Sequence, residues 1–459
     1  MTRWRLVLWC CGWMLGLFLW SSTPVQAAYL TDVADSFDYA NNNKFDFRFR
    51  VAYEFFQESA TIARENGIST GVSNQFFEYQ PEFVVNHARH SLVLNPVIGI
   101  FRDFELGLRI PLIFSETFSS SPADAAKNKS SSLLDDGIVK NPNIDTTHGG
   151  LSENLLGDMS LYLNLGILND YKGHWVTLVL GMDWTIPTGI VWDPRDPRNK
   201  TTGGGAGRGA HFLKWHITMS KRIHRHFDAY IQIWYRLGIT PQSTLEGLVN
   251  PEWRQYNEKF KSQKTNVNEA AKEEAFRKDL VTRGIARSLD PSQSGGFMMG
   301  TEIVFYEKPL KHQKVSLDLR FFWNAFFEGR DYTMFTDMLA GYLPVNKKRD
   351  ANGQIINEPL RASSLTDREQ YYTIGGQFAL HFMIGKFGWI RLQGTITHTL
   401  PFFLTQAKRG VDQDGNGFVN LGTSEEYPYH LREIDGVGKR IQQRDHFGFA
   451  FQLSGGLTF

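Results

Sequence analysis

Asp412-Gln-Asp-Gly-Asn-Gly-Phe418 sets oxygen donors at alternate positions ahead of a tight turn, the arrangement with which a loop wraps hard ligands around calcium. Asp412, Asp414 and Asn416 are its candidate ligands. The twelfth position is Thr423, where a bidentate Glu would stand, and no second helix follows. A bare turn rich in Asn and Gly accounts for the same residues. Apart from this calcium candidate, no cofactor is expected. His216, His381 and His398 are each separated by strand position from any obvious Ser nucleophile. No Gly-x-Ser-x-Gly elbow and no zinc-spaced His pair on a helix occurs, so catalysis has no positive support.

The remaining charged side chains alternate with apolar ones. Phe45, Phe47, Phe49, Val51, Tyr53 and Phe55 interleave with Asp46, Arg48, Arg50, Ala52 and Glu54. A period of two means an extended strand with one apolar and one charged face. Apolar faces recur at Leu106, Leu108 and Ile110, at Leu161, Leu163 and Leu165, at Trp215, Ile217 and Met219, and at Ile374, Phe378, Leu380 and Phe382. The opposite faces carry Arg48, Arg50, Glu54, Glu105, Arg109, Asp158, Asp183, Lys214, His216, Asp228, Arg236, Glu302, Asp318, Arg320, His381 and Arg391. In a soluble sandwich the charged face meets water; in a membrane barrel it lines the lumen. Mixed signs permit two readings of such a lumen: charges paired across it for rigidity, or a path lined for a solute.

Spacing separates barrel from sandwich. Twelve strands alternate short connections with long ones, at 115–153, 188–208, 241–294 and 328–369 and before the last strand. Both chain ends fall on the short-turn side. That asymmetry belongs to outer-membrane barrels. The expected fold is therefore all-β, a 12-stranded antiparallel transmembrane barrel over 44–459 with long external loops. Within 241–294, the run from Glu252 to Arg287 is rich in Glu, Lys, Ala and Arg and predicts one or two helices that cap the mouth, plug the lumen or bind a protein partner.

Lys and Arg total 49 against 48 Asp and Glu, which leaves no charge excess for nucleic acid. The 14% aromatic content and 42 Gly, with a negative mean hydropathy, fit strands of which only half the residues face lipid. Residues 1–27 read as a signal peptide: Arg3 and Arg5, the apolar run Leu6 to Trp20, then Val25-Gln26-Ala27. Cys10 and Cys11 would leave with it, and 28–43 would follow as a periplasmic lead-in.

The final stretch, His446 to Phe459, puts Phe447, Phe449, Phe451, Leu453, Leu457 and Phe459 on one face. It resembles the C-terminal strand of bacterial outer-membrane barrels. That likeness implies lipid and, through Phe459, the barrel assembly machinery as partners, in the outer membrane of a Gram-negative cell. Four further stretches occur in order: Glu105-Leu-Gly-Leu-Arg-Ile-Pro111, Leu156-Gly-Asp-Met-Ser160, Trp184-Thr-Ile-Pro-Thr-Gly189 and Met219-Ser-Lys-Arg222. Together they resemble the outer-membrane proteins linked to the meta-cleavage pathway of phenol degradation. The resemblance is best over residues 83–240, and the 241–294 insertion departs from it. It implies a barrel for uptake of small hydrophobic or aromatic solutes. The expected mechanism is passive and non-enzymatic, a lumen path gated by 115–153 and 241–294. A barrel that anchors a partner protein is the alternative, and a lipid-modifying barrel enzyme ranks behind both.

Overall fold

The computed structural model describes residues 29–31, 33, 47–68, 76–101, 103–123, 133, 144–148, 156–170, 173–189, 207–240, 289–308, 311, 313–331, 333, 345–349, 355–359, 366–385, 388–405, 412, 414–420 and 434–458. The leader 1–27, most of the 28–43 lead-in, the predicted helices of the 241–294 insertion and Phe459 lie outside the described residues.

Twelve strands form a closed antiparallel ring. They are β1 (Phe47–Ile68), β2 (Phe76–Phe101), β3 (Phe104–Pro122), β4 (Met159–Leu168), β5 (Thr177–Ile186) and β6 (His211–His224). The other half comprises β7 (Phe227–Ile239), β8 (Ser294–Lys308), β9 (Gln313–Phe326), β10 (Tyr371–Ile384), β11 (Gly388–Thr399) and β12 (Ile441–Thr458). Each pairs with its neighbours in chain order, and β12 returns to pair with β1 from Arg48↔Thr458 to Arg64↔Ile441. Closure leaves no free ladder edge in the ring, which is what allows a sheet to sit in lipid. Tight turns join the strands at one end, as at Asp103, whose φ is 53°, and Gly385, whose φ is 71°. The long connections leave from the other.

Residues paired across strands share a face, so the register sorts side chains into two sets. One set holds Trp215, Ile217, Ile233, Tyr235, Phe321, Phe378, Ile396 and Phe447, all exposed. Such a belt requires an apolar solvent, and lipid supplies it. His398 lies in this belt, its ring 4.6 Å from that of Phe447.

The strands run further at the long-connection end than the alternation predicts. The pattern ends the first strand near residue 55, whereas the β1–β2 ladder continues to Ile68↔Phe76. Residues 115–122 are likewise part of β3 rather than loop, paired back onto β2 as far as Phe83↔Pro122. The cause is a second, apolar core inside this extension, built from Ile62, Phe83, Phe118, Leu133, Tyr371, Phe402, Leu404, Ile434 and Ile441. Tyr371 is stacked between Phe326 at 4.6 Å and Phe402 at 4.3 Å. The expected loop 328–369 also contains strand. Gly329–Asp331 pairs with Thr366–Arg368, which pairs with Phe402–Thr405, which pairs with the start of β12. Further short strands are Ile144–His148 against β3 and a separate hairpin of Val345–Arg349 with Ile355–Pro359.

Candidate functional site

The charged residues singled out from the alternation fall on the face opposite the apolar belt. The register carries them around the ring in continuous rows, for example Arg109↔Ser160 and Tyr162↔Asp183, then Asp183↔Lys214 and Lys214↔Arg236, and Asp228↔Glu302↔Asp318. Their environments differ sharply between the two halves of the wall.

Near the turn end of β6–β11 the inner face is a sealed ionic lattice. Arg222 Nε donates to Asp228 Oδ1 at 2.5 Å, and its Nη1 donates to Glu307 Oε2 at 2.7 Å. Lys314 Nζ lies 2.8 Å from Glu302 Oε1, which also accepts from Ser316 Oγ at 2.5 Å. Asp318 accepts from Tyr230, from Arg320 and from Arg391 Nη2, the last at 2.6 Å. His381 rests edge-on against Trp389 at 5.7 Å. Asp228, Glu302, Lys314, Asp318 and Arg391 are all buried. Charges buried this far are tolerated because each meets opposite charge and hydrogen-bond partners. Arg222, Tyr230, Lys314 and Ser316 were not among the residues chosen from the sequence, although each continues the same every-second-residue series.

Across β1–β6 the inner face is accessible in part, beside Arg109, Asp183 and Lys214, while Glu105 and Asn95 on the same face are buried. Arg109 Nη2 donates to both oxygens of Glu54, at 2.8 and 3.0 Å, yet the Arg109 side chain is 49% exposed. Asp183 and Lys214, 3.5 Å apart, are 29% and 31% exposed. Glu105 accepts from Asn164 at 2.7 Å, and Gln452 donates to Glu54 at 2.9 Å. Arg50 lies over the Trp389 ring at 5.1 Å.

Glycines on the same face explain how large rings fit there. A Cβ at Gly107 would overlap Tyr162, at Gly181 His216, at Gly300 Tyr230, at Gly375 Phe322 and at Gly456 Trp389. Each ring therefore lies along the wall over a glycine of the neighbouring strand instead of standing across the lumen. The result is an inner surface lined with aromatic faces and still open beside Arg109 and Lys214.

Toward the long-connection end, His87 links two carboxylates: its ring nitrogens lie 2.9 Å from Glu58 Oε1 and 2.7 Å from Glu116 Oε1. Glu58 Oε2 is 2.9 Å from His446 Nε2. This chain escaped the sequence reading because Gln57-Glu58-Ser59 looks like loop once the first strand is ended at residue 55. Asp158 accepts from the backbone N–H groups of Gly189 and Arg208 at 3.0 and 2.9 Å, tying β4 to the segments after β5 and before β6.

One more strip of chain reaches the inner face. Thr31, in a short turn Tyr29–Thr31, is buried, with Oγ1 2.6 Å from Ser220 Oγ on β6. Arg48 Nη2 on β1 donates to the carbonyl of Val33 at 3.5 Å. Since β1 and β6 stand five strands apart in a ring of twelve, residues 31 and 33 lie between nearly opposite walls.

In the calcium candidate, Asp412 accepts from the N–H groups of Gly415 and Gly417 at 2.7 and 2.8 Å, and Asp414 accepts from that of Asn416 at 3.0 Å. Those amides, Gly417 foremost, hold the Asp412 carboxyl below its ordinary value. The donors thus shape their own turn. Among the described residues no three His, Cys, Asp or Glu gather as a metal site, and Thr423 lies outside them.

No known family matches the chain, and no curated protein does. Among solved structures it is similar to an outer-membrane channel of Pseudomonas putida F1, at 11% identity over 90% of this chain and 95% of that one, with a TM-score of 0.38. It is also similar to a FadL homologue of Pseudomonas aeruginosa, at 10% identity over 95% and 99%, TM-score 0.31. A third is the outer-membrane protease OmpT of Escherichia coli, at 6% identity over 90% and 97%, TM-score 0.27. Likenesses this distant leave the activity to be argued from the chain's own residues.

Proposed function

We propose that the chain is an outer-membrane channel for passive passage of small solutes, hydrophobic and aromatic compounds among them. The observation that carries this reading is the set of inner-face rings laid flat over glycines. A barrel built only as a rigid post gains by filling its lumen with upright side chains, since packing is what stabilises an interior. Here Tyr162, His216, Phe322 and Trp389 are folded against the wall, and Arg109 keeps half its surface accessible. Aromatic faces offer stacking to planar solutes, and their shallow energy lets a solute leave as well as enter. Passage of this kind needs no covalent step and no energy source.

The β12 strand, with Phe447, Phe449, Leu453 and Leu457 exposed on one face, supports insertion into lipid and delivery by the barrel assembly machinery, after loss of the leader. Single-channel recording of the refolded chain in planar bilayers tests the reading. Steady conductance, reduced by small aromatic solutes in the bath, is the expected result. A chain that inserts and stays closed at every voltage overturns it.

A further inference from the structure

The inner wall at β6–β7 carries an unbalanced pair of cations. Lys214 and Arg236 are directly opposed across the two strands. Like charges in that position repel and cost stability, so something must offset them. Asp183 answers Lys214 at 3.5 Å. Arg236 has no carboxylate partner among the described residues; its Nε donates to the neutral Ser294 Oγ at 3.0 Å. Arg208 and Arg368 add like charge to its surroundings, and Asp331, the carboxylate that opposes them there, is already bound to Arg368 at 2.6 Å.

Both cations are held against rings. Arg236 lies over Phe212 at 4.8 Å and Lys214 over Trp234 at 5.7 Å, the two pairs forming parallel diagonals between the same two strands. Each ring holds its cation from one side, and beyond Nε the Arg236 guanidinium has no carboxylate among the described residues to take up its donors, which preorganises it for an anion. A guanidinium edge beside an ammonium and an indole suits a planar molecule that ends in a carboxylate.

We infer that this face is a binding site for a small aromatic carboxylate, whose anionic group is held by Arg236 and Lys214 while its ring rests against Trp234. The inference deepens the channel reading by naming a solute class, and it rests on that reading for the site's purpose.

Benzoate is the probe, titrated calorimetrically into the refolded full chain in detergent, with benzyl alcohol as the neutral counterpart and acetate as the anion without a ring. Benzoate binds more tightly than either. Arg236→Gln weakens it about tenfold or more, as expected for loss of a charge-assisted bond. Lys214→Gln weakens it less, and Arg236→Lys retains part of it. Folding of each variant is checked by its heat-dependent shift on gels; should Arg236→Gln not fold, Arg236→Lys and Lys214→Gln decide. Benzoate affinity equal to that of benzyl alcohol, or unchanged in the folded variants, overturns the site. Binding in detergent is independent of conduction: a closed barrel that binds benzoate through Arg236 retains the site and loses the channel, and an open one that does not bind it retains the channel alone.

Discussion

Glu65 and Arg440, 375 residues apart in the chain, clasp the two ends of the barrel sheet. Arg440 donates from Nη2 to Glu65 Oε1 at 2.9 Å and from Nε to Oε2 at 3.0 Å, and Gly438 N–H adds a third bond at 2.7 Å. Glu65 lies 18 residues along β1 from Phe47, roughly 60 Å of strand at about 3.3 Å per residue. That places the pair beyond an apolar band about 25 Å tall, even for a strand tilted by about 40°.

The clasp makes stability depend on acid. Burial alone pushes the Glu65 carboxyl up, but the bonds from Arg440 and Gly438 outweigh it and hold the group below its ordinary value. A carboxyl lowered by folding contributes fully above the unfolded value of about 4.3 and loses that contribution as pH falls through the folded value. Thermal unfolding in detergent between pH 7 and pH 3 should show Tm falling at the acid end. Glu65→Gln should lower Tm at pH 7, at a cost of about 1–2 kcal/mol, and flatten the acid limb. An unchanged limb in the variant would assign the acid dependence elsewhere.

Asp318 is the junction of the sealed lattice, serving Tyr230, Arg320 and Arg391 together. Asp318→Asn leaves two buried guanidinium groups short of charge, and removing one member of a buried pair costs roughly 3–5 kcal/mol. Urea unfolding of the barrel should register that loss. Arg109→Gln, on the accessible half, should cost less than about 1 kcal/mol.

Gly107→Ala tests the flattened rings. The atoms nearest the new methyl group are those at the end of the Tyr162 ring, which can swing away from the wall. The variant should fold and conduct less than the parent. Removing the ring as well, in Gly107→Ala with Tyr162→Ala, should restore conductance. A single variant that conducts like the parent would show that the ring has room elsewhere.

Thr31 and Ser220 should be joinable. Their hydroxyl oxygens are 2.6 Å apart, and Cys10 and Cys11 belong to the predicted leader, so Thr31→Cys with Ser220→Cys would be the only thiols in a processed chain. Oxidation should give an intramolecular bridge, seen as a gel shift reversed by reductant. Absence of the bridge would argue that residue 31 does not rest on β6.

The ring of twelve was legible in the sequence because the period-two pattern from Phe47 onward is driven by lipid on one side, a solvent that no other contact overrides. The inner-face charges were legible for the same reason. Their partnerships were not: whether Asp318 meets Arg391 or Arg109 meets Glu54 depends on register between strands far apart in sequence. The extension past residue 55 was hidden because an internal core lets polar residues such as Glu58 and Ser119 occupy strand positions. Thr31 gave no local signal, having neither periodicity nor a motif.

The strip at residues 31 and 33 also constrains the order of assembly. It precedes β1 in the chain, yet it rests on β6 inside the ring. The wall is completed only when β12 meets β1. The strip must therefore either be gathered in while that seam is open or slip in through the turn end afterwards. In the first case the strands fold around their own leading segment, and a bulky group fused just before residue 29 would stall seam closure; in the second it would leave the ring intact with only the strip displaced.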